Sequence, residues 1–502
     1  MTSARFPGFL RCVCTVLMAS VSLLHAQAPA PGVVAVAGTQ ARASGEADQS
    51  QAAPAAATGD QSYRGSVPQG TATPNPLPLS LGDAINRGLK ANLGLLTSEQ
   101  SSREIRAQRV RALSGLLPTV NGQLSMTEQQ LNLQAVGFLF SFPPSFGISI
   151  PHIVGPYSYQ AALANATVPL FDFRAISNFR ASREDVKAAV LSIKNARDLV
   201  VEAVGTAYLQ IIADAARIVA ANAEIEADNA VYMNAVHRHD AGTAIGIDVL
   251  RSQVELKQRQ QTLVAVTNQF EKDKLTLGRI IGLPVGQDFT VTDPTASMPL
   301  EPMPLQDALT KAYEHRPDFL AAKARVLAAQ FSLRAAKAER YPTLTASGFY
   351  GDEGLRLLTN SHGVFQATGS VQFNIFDGGR IKADIVENDA ELRNRQNEMQ
   401  NLRGQIDYEV RSALLDLKAA GEQVDVARSN MDLATQTLKQ SRDRFAAGVT
   451  NTVEVVQAQQ AVADANENLI SAQYQYNIAK VSLARALGLA EETIGGYFNR
   501  KP

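Results

Sequence analysis

Tryptophan is absent from this 502-residue chain, and aromatic residues make up only 6% of it. Together with helical tracts rich in Ala, Gln, Leu and Arg, that scarcity suits long packed helices better than a layered globular core. No run of eighteen apolar residues occurs, so no transmembrane helix is expected. Cysteine is nearly absent as well. Cys12 and Cys14, the two in the chain, both lie within residues 1–28. That stretch reads as a secretory signal peptide: Arg5 and Arg11, an apolar run from Cys12 to Leu24, then Ala26-Gln27-Ala28 as the cleavage site. The cysteines sit at the front of the apolar run, whereas a lipid-modified cysteine would follow it. The mature chain is therefore expected to lack thiol chemistry, disulfides and Cys-based metal sites.

An excess of either charge is missing too. Cleavage takes Arg5 and Arg11 from the 47 basic residues, leaving 45 against 48 acidic ones and a net charge of about −3. That is no polyanion-binding balance, and no nucleic-acid partner is expected. Histidines number six and are scattered. His237, His239 and Asp240 cluster, but residues two apart on a helix diverge, which favours surface polarity over a metal site. Asp377-Gly378-Gly379 is a turn signal without the context of a phosphate loop. No Ser/His/Asp or Cys/His ordering stands out. No catalytic, cofactor-binding or metal residue is expected, and an enzyme is the remotest reading.

What is present is periodic. From Phe365 to Ile375 apolar and polar residues alternate, the mark of a strand with one apolar face. After Phe376-Asp377-Gly378-Gly379, a seam through Val410, Ala413, Leu417, Ala420, Val424, Ala427, Met431, Ala434 and Leu438 predicts one long helix. The pattern breaks at Ala446-Ala447-Gly448 and returns through Val455, Val462, Leu469, Tyr476 and Leu483. A helix of some 66 residues spans about 100 Å.

The same pattern occurs earlier. Leu81-Gly82-Asp83-Ala84 recurs as Leu305-Gln306-Asp307-Ala308, and Leu117-Pro118-Thr119-Val120 as Tyr341-Pro342-Thr343-Leu344. Pro169-Leu170-Phe171-Asp172 matches Asn374-Ile375-Phe376-Asp377, and Arg279-Ile280-Ile281-Gly282-Leu283 matches Arg485-Ala486-Leu487-Gly488-Leu489. The chain reads as a tandem duplication. Residues 29–78, rich in Ala, Gly, Pro, Gln, Ser and Thr, form a disordered leader; 79–290 and 291–490 are the two repeats, and 491–502 a C-terminal tail. Each repeat predicts a short helix, a helix of about twenty residues, a strand pair and a long helical hairpin. Pro118 and Pro342 mark the helix-to-strand changes, and Asp172 and Asp377 are expected N-caps.

Four strands with one apolar face pose a closure problem. They span a bilayer only in a closed barrel, for which four strands are too few, so neighbouring chains would have to complete it. A soluble four-stranded sheet packed on helices is the alternative.

At these residues the chain closely resembles the outer-membrane efflux proteins of the TolC type. The resemblance covers about 79–490. It rests on the duplication, on Phe171-Asp172 and Phe376-Asp377-Gly378-Gly379-Arg380, on Arg316-Pro317-Asp318 with Ala321-Ala322, and on Arg444-Phe445-Ala446-Ala447-Gly448 with Glu454-Val455-Val456-Gln457-Ala458-Gln459. It implies a mixed fold: a long α-helical coiled-coil barrel in the periplasm, continuous with a trimeric, twelve-stranded β-barrel in the outer membrane. The implied function is a passive exit duct of a tripartite efflux or secretion system. Its partners would be two further copies, a periplasmic adaptor, an inner-membrane pump and outer-membrane lipid. The hairpin tips become the periplasmic mouth, with Ala241, Gly242, Thr243, Ala447, Gly448, Val449 and Thr450 as adaptor contacts. Family position makes Glu454 and its copy-one equivalent Asp248 gate candidates, with Gln457 where some members carry an acid. Glu454 also fits a plain solvated residue at a helix start. A type I protein-secretion duct and a non-channel coiled-coil envelope scaffold remain as rival readings. The apolar loop of Phe138, Leu139, Phe140, Phe142 and Phe146 either rims the barrel or folds inward.

Overall fold

The computed structural model describes residues 62–135, 137, 151–243, 245–293, 303–357, 359–447, 449–450 and 452–493. All belong to the second of two compact units, Ala56–Pro502. The signal peptide, residues 29–61 of the leader, the apolar loop, Gly448 and residues 494–502 lie outside the described residues.

In chain order the elements are β1 (Leu77–Leu79), α1 (Leu81–Ala91), α2 (Leu93–Ser114), β2 (Thr119–Asn132), β3 (Ile153–Phe171), α3 (Phe173–Asp240), α4 (Gly246–Ile280), β4 (Phe289–Val291), α5 (Leu305–His315), α6 (Pro317–Ala338), β5 (Thr343–Arg356), β6 (Asn360–Gln372), α7 (Arg380–Ala446) and α8 (Thr452–Ala486). The order helix, helix, strand, strand, long helix, long helix occurs twice. Of the two aspartates expected as N-caps, Asp172 takes that position and Asp377 does not. Asp172 caps α3 by accepting from the Ala175 N–H at 3.0 Å. Asp377 accepts from Ile381 at 2.8 Å and Gly379 at 3.0 Å, which holds its carboxyl below the ordinary carboxylate range. The capping position itself belongs to Gly379, whose φ of +92° is open to glycine at little cost.

The four long strands form one antiparallel sheet in the order β2-β3-β5-β6. Register decides which residues share a face, because opposed residues point the same way. Leu124 pairs with Ala162, Ala162 with Asp352 and Asp352 with Gly363. Val120, Leu124, Met126, Tyr350, Phe365 and Val371 thus fall on one face, where Leu124 is 80% and Phe365 81% exposed. The opposite face carries Asn121, Gln123, Ser125, Thr127, Thr345, Ser347, Thr368 and Ser370. The strands exceed the nine to eleven residues a membrane strand needs. β2 and β6 form the two edges of the sheet.

The long helices form a layer in the order α4–α3–α8–α7. Val200, Val201, Val204, Tyr208 and Ile211 of α3 pack with Leu277 and Ile280 of α4 and with Val481 and Ala484 of α8. On the other side Ile406, Val410 and Ala413 of α7 pack with Leu483 of α8 and with Ala308, Ala312 and Phe319 of α5 and α6. Gly488 ends α8 at φ +72°, and a Cβ there would lie 2.7 Å from the Arg316 backbone. That glycine is required by both conformation and space.

Two expectations are corrected. Residues 62–78 are ordered rather than part of a disordered leader. Gln287 accepts from the Thr73 N–H at 2.7 Å and donates to the Asn75 carbonyl at 3.1 Å. β1 then pairs in parallel with β4, Leu77 opposite Phe289. Buried Leu79 offers its carbonyl to Tyr208 Oη at 2.9 Å. Second, β6 ends at Gln372 instead of running on to Ile375. Its last partner is Thr343, directly after Pro342, so Phe373–Phe376 have no facing strand in β5. Among the described residues, α3 holds one stretch long and apolar enough by composition to cross a membrane, and half of that stretch is buried, as in the core helix of a packed layer.

Candidate functional site at the hairpin tips

Each hairpin turns through the same backbone hydrogen bond. The Thr243 N–H donates to the Arg238 carbonyl at 2.8 Å, and the Val449 N–H to the Arg444 carbonyl at 2.9 Å. Gly242 takes the expected left-handed conformation, φ +71°. Ala241, Gly242, Thr243, Ala447 and Val449 are exposed, and Thr450 is half-buried. Gly448, the other expected turn glycine, lies outside the described residues.

The two gate candidates occupy unlike surroundings. Glu454 is clamped: Arg444 Nε lies 3.3 Å from Oε1, the Thr450 hydroxyl donates to Oε2, and Ser441 Oγ donates to Oε1 at 3.4 Å. Asp248 has Arg251 of its own helix at 4.0 Å. The clamp is local to the second copy because the first has Ala235 in place of Ser441 and Ala244 in place of Thr450. Arg238, the counterpart of Arg444, instead stacks over the Phe445 ring at 4.6 Å and joins the two tips. Gln457 is exposed and lines a groove of about 530 Å³ with Ile247, Leu250 and Val254 of α4 and Val453 and Val456 of α8. The structure thus gathers Glu454 with Arg444, Thr450 and Ser441, and leaves Asp248 and Gln457 apart from that cluster.

Sequence reasoning missed a second cluster farther from the tips. Arg259 of α4 reaches Glu224 at 3.4 Å and Asp228 at 3.5 Å on α3, Glu255 at 3.0 Å on its own helix, and Gln460 on α8. Burial pushes the carboxyls of Glu224 and Asp228 up, and Arg259 pulls them back. Arg217 similarly joins Asp214 on α3 to Glu467 on α8, both at 2.9 Å. The one available signal was Glu224 and Asp228, four apart on an otherwise Ala-rich face.

Residues 84–283 and again 308–489 match the outer membrane efflux protein family, and the chain belongs to that family. It is an outer-membrane protein of efflux, from a family of channels rather than enzymes. The toluene efflux pump outer membrane protein TtgF of Pseudomonas putida is 27% identical over 64% of this chain and 66% of its own length, so the match spans about two thirds of that relative. The pyoverdine export outer membrane protein OpmQ of Pseudomonas aeruginosa is 24% identical over 81% of this chain and 85% of its own. The fold agrees with the CmeC outer membrane channel of Campylobacter jejuni (TM-score 0.69, 17% identity, 84% of this chain and 89% of that one). It also agrees with the open state of the MtrE outer membrane channel of Neisseria gonorrhoeae (TM-score 0.67, 20% identity, 82% and 90%).

Proposed function

We propose that three copies of this chain form a passive exit duct, a twelve-stranded barrel in the outer membrane continuous with a helical barrel in the periplasm. The observation that carries this reading is a pair of open edges in both layers: β2 and β6 in the sheet, α4 and α7 among the long helices. An open sheet edge is not tolerated in lipid, and closure with further copies removes it. The aligned apolar face of Leu124, Tyr350 and Phe365 then meets lipid, and the Asn, Gln, Ser and Thr face lines the pore. The two repeats supply the two strand pairs and two hairpins of each copy.

The exposed small residues at both tips are the contact for a periplasmic adaptor, which joins the duct to an inner-membrane pump that supplies the energy. Toluene and pyoverdine, named for the relatives, favour small molecules over a secreted protein as cargo. Glu454 is the gate residue: three copies of it around the pore axis would favour cations.

The test is planar-bilayer conductance of the mature protein purified in detergent, with its mass measured in parallel. A trimer forming cation-preferring pores is expected; a water-soluble species without conductance would refute the duct. Glu454→Ala should raise conductance or lessen divalent-cation block, and no change in either removes the gate role.

A further inference from the structure

The two edges of the helical layer are copies of its centre. Residues of α3 and α4 have counterparts 206 positions later on α7 and α8, as Arg279 has in Arg485. Inside the chain the long helix of copy one packs against the second helix of copy two, α3 against α8. The converse pair, α7 and α4, lies on opposite edges of the layer.

Side chains on those edges answer to buried ones at the centre. Leu275 of α4 is 75% exposed, whereas its counterpart Val481 on α8 is fully buried. Exposed Val264 of α4 corresponds to buried Ile470, and exposed Leu415 of α7 to buried Leu209 of α3. Both edges thus carry apolar residues at positions which the other copy covers with a neighbouring helix.

The α3–α8 contact also fixes a register. The helices run antiparallel, and three pairs mark where they face. Glu202 meets Arg485 at 3.8 Å, and Arg217 meets Glu467 at 2.9 Å. Between them the methyls of Val481 lie 3.8 Å from where a Cβ on Gly205 would stand. The corresponding edge residues are Tyr408 for Arg279, Gln423 for Gln261 and Arg411 for Leu275. All six are exposed in the single chain. Each pair suits contact: a guanidinium stacks on a tyrosine face, and two amides can exchange hydrogen bonds. Asp407 holds the Arg411 head at 2.7 Å, which leaves the methylene stem to cover Leu275.

We propose that the internal α3–α8 contact is repeated between copies, with α7 of one copy seated on α4 of the next. Arg411 then lies beside Leu275, Gln423 beside Gln261, and Arg279 over the ring of Tyr408. The receiving surface on α4 is a pocket of about 420 Å³ walled by Leu275, Arg279 and Val285. The internal contact carries ion pairs where the external one carries Gln with Gln and a cation on a ring. Seating α7 on α8 instead would give Glu467 a glutamine in place of Arg217, so the two contacts do not exchange partners. The proposal rests on the reading that copies of the chain associate, and adds which side chains meet.

Cysteine cross-linking of the full mature chain in detergent tests this register, since Cys12 and Cys14 both lie in the expected signal peptide. Arg411→Cys with Leu275→Cys should give covalent dimers and trimers on a denaturing gel after oxidation, and single chains after reduction. Both sites are exposed, so the core is untouched, and their places on opposite edges keep the bond from closing within one chain. Arg411→Cys with Val264→Cys, roughly 16 Å out of register, should stay as single chains on that gel. Arg279→Gln and Tyr408→Leu should each lower the temperature at which the trimer dissociates, and together no more than either alone. Tyr408→Phe should leave that temperature unchanged. Equal cross-linking of both cysteine pairs, none in the matched pair despite a trimer by mass, or additive losses for Arg279→Gln and Tyr408→Leu would overturn the proposal and leave the duct standing. A single chain by mass before any oxidation would overturn both.

Discussion

The central helices of the layer and its outer helices are built from similar seams yet buried very differently. α3 and α8 carry dense buried runs, Ala196 to Asp214 on one and Ala472 to Ala486 on the other. α4 and α7 bury a narrow stripe and leave Val254, Val264, Leu275, Tyr408, Leu415, Val426 and Leu433 exposed. The division cuts across the repeats, since each hairpin contributes one central and one outer helix. Burial therefore follows position in the layer rather than place in the repeat. Large apolar side chains left on two edges are what an interface between copies requires.

The strongest way to break this comparison is to place positive charge in each region. Val201→Arg, at a fully buried position of α3, should abolish folding, because an unpaired buried charge costs several kcal/mol (roughly 3–5). Leu415→Arg with Leu433→Arg, at positions 68% and 59% exposed on α7, should leave helix content intact by circular dichroism and abolish the proposed trimer by mass. An unchanged trimer would show that this edge is not an interface.

A smaller contrast sets two arginines against each other. Arg259 is 10% exposed and held by three carboxylates, whereas Arg444 is 57% exposed and holds one. Arg259→Ala should cost about 3–5 kcal/mol in denaturant unfolding, by taking the cation from buried Asp228 and half-buried Glu224. Arg444→Ala should cost about 0–1 kcal/mol and be read in conductance instead.

The copies also differ where α2 and α6 begin. Asn92, fully buried, accepts from Gly94 at 2.9 Å and donates to the Tyr63 carbonyl. Arg316, 1% exposed, instead binds Asp318 and Glu409. Asn92→Ala should lower stability by about 1–2 kcal/mol and loosen residues 62–66 in hydrogen exchange. Smallest of all, Thr450→Val removes one hydroxyl from Glu454, for about 0.5–1.5 kcal/mol, and should shift any gating in the same direction as Glu454→Ala.

Most of the fold was legible because period two and period 3.6 are written over long stretches, and because Asp172 and Asp377 stand where one gives way to the other. β1 and β4 were not legible: three residues each carry no period, and their pairing joins segments far apart in the chain. The true end of β6 is set by where its partner β5 begins, at Thr343 directly after Pro342. At the site, Gly242 was visible as a turn glycine. The clamp on Glu454 was half visible, since Thr450 precedes it by four residues, while Arg444 and Ser441 reach it across the turn. The Arg259 cluster spans three helices, and the spacing of Glu224 and Asp228 was its one local trace.

The β1–β4 pair has a consequence for the order in which the chain is completed. Leu77–Leu79 can pair only after Phe289–Val291 has been delivered, and the Leu81 N–H meets its acceptor Asp293 across 212 residues. That closure joins residues 77–81 to 289–293, on either side of the first helical hairpin, while the second hairpin is still to come. For a chain delivered from its N-terminus, the segment around the first hairpin thus ties its own ends together, and a parallel strand of three residues is the clasp.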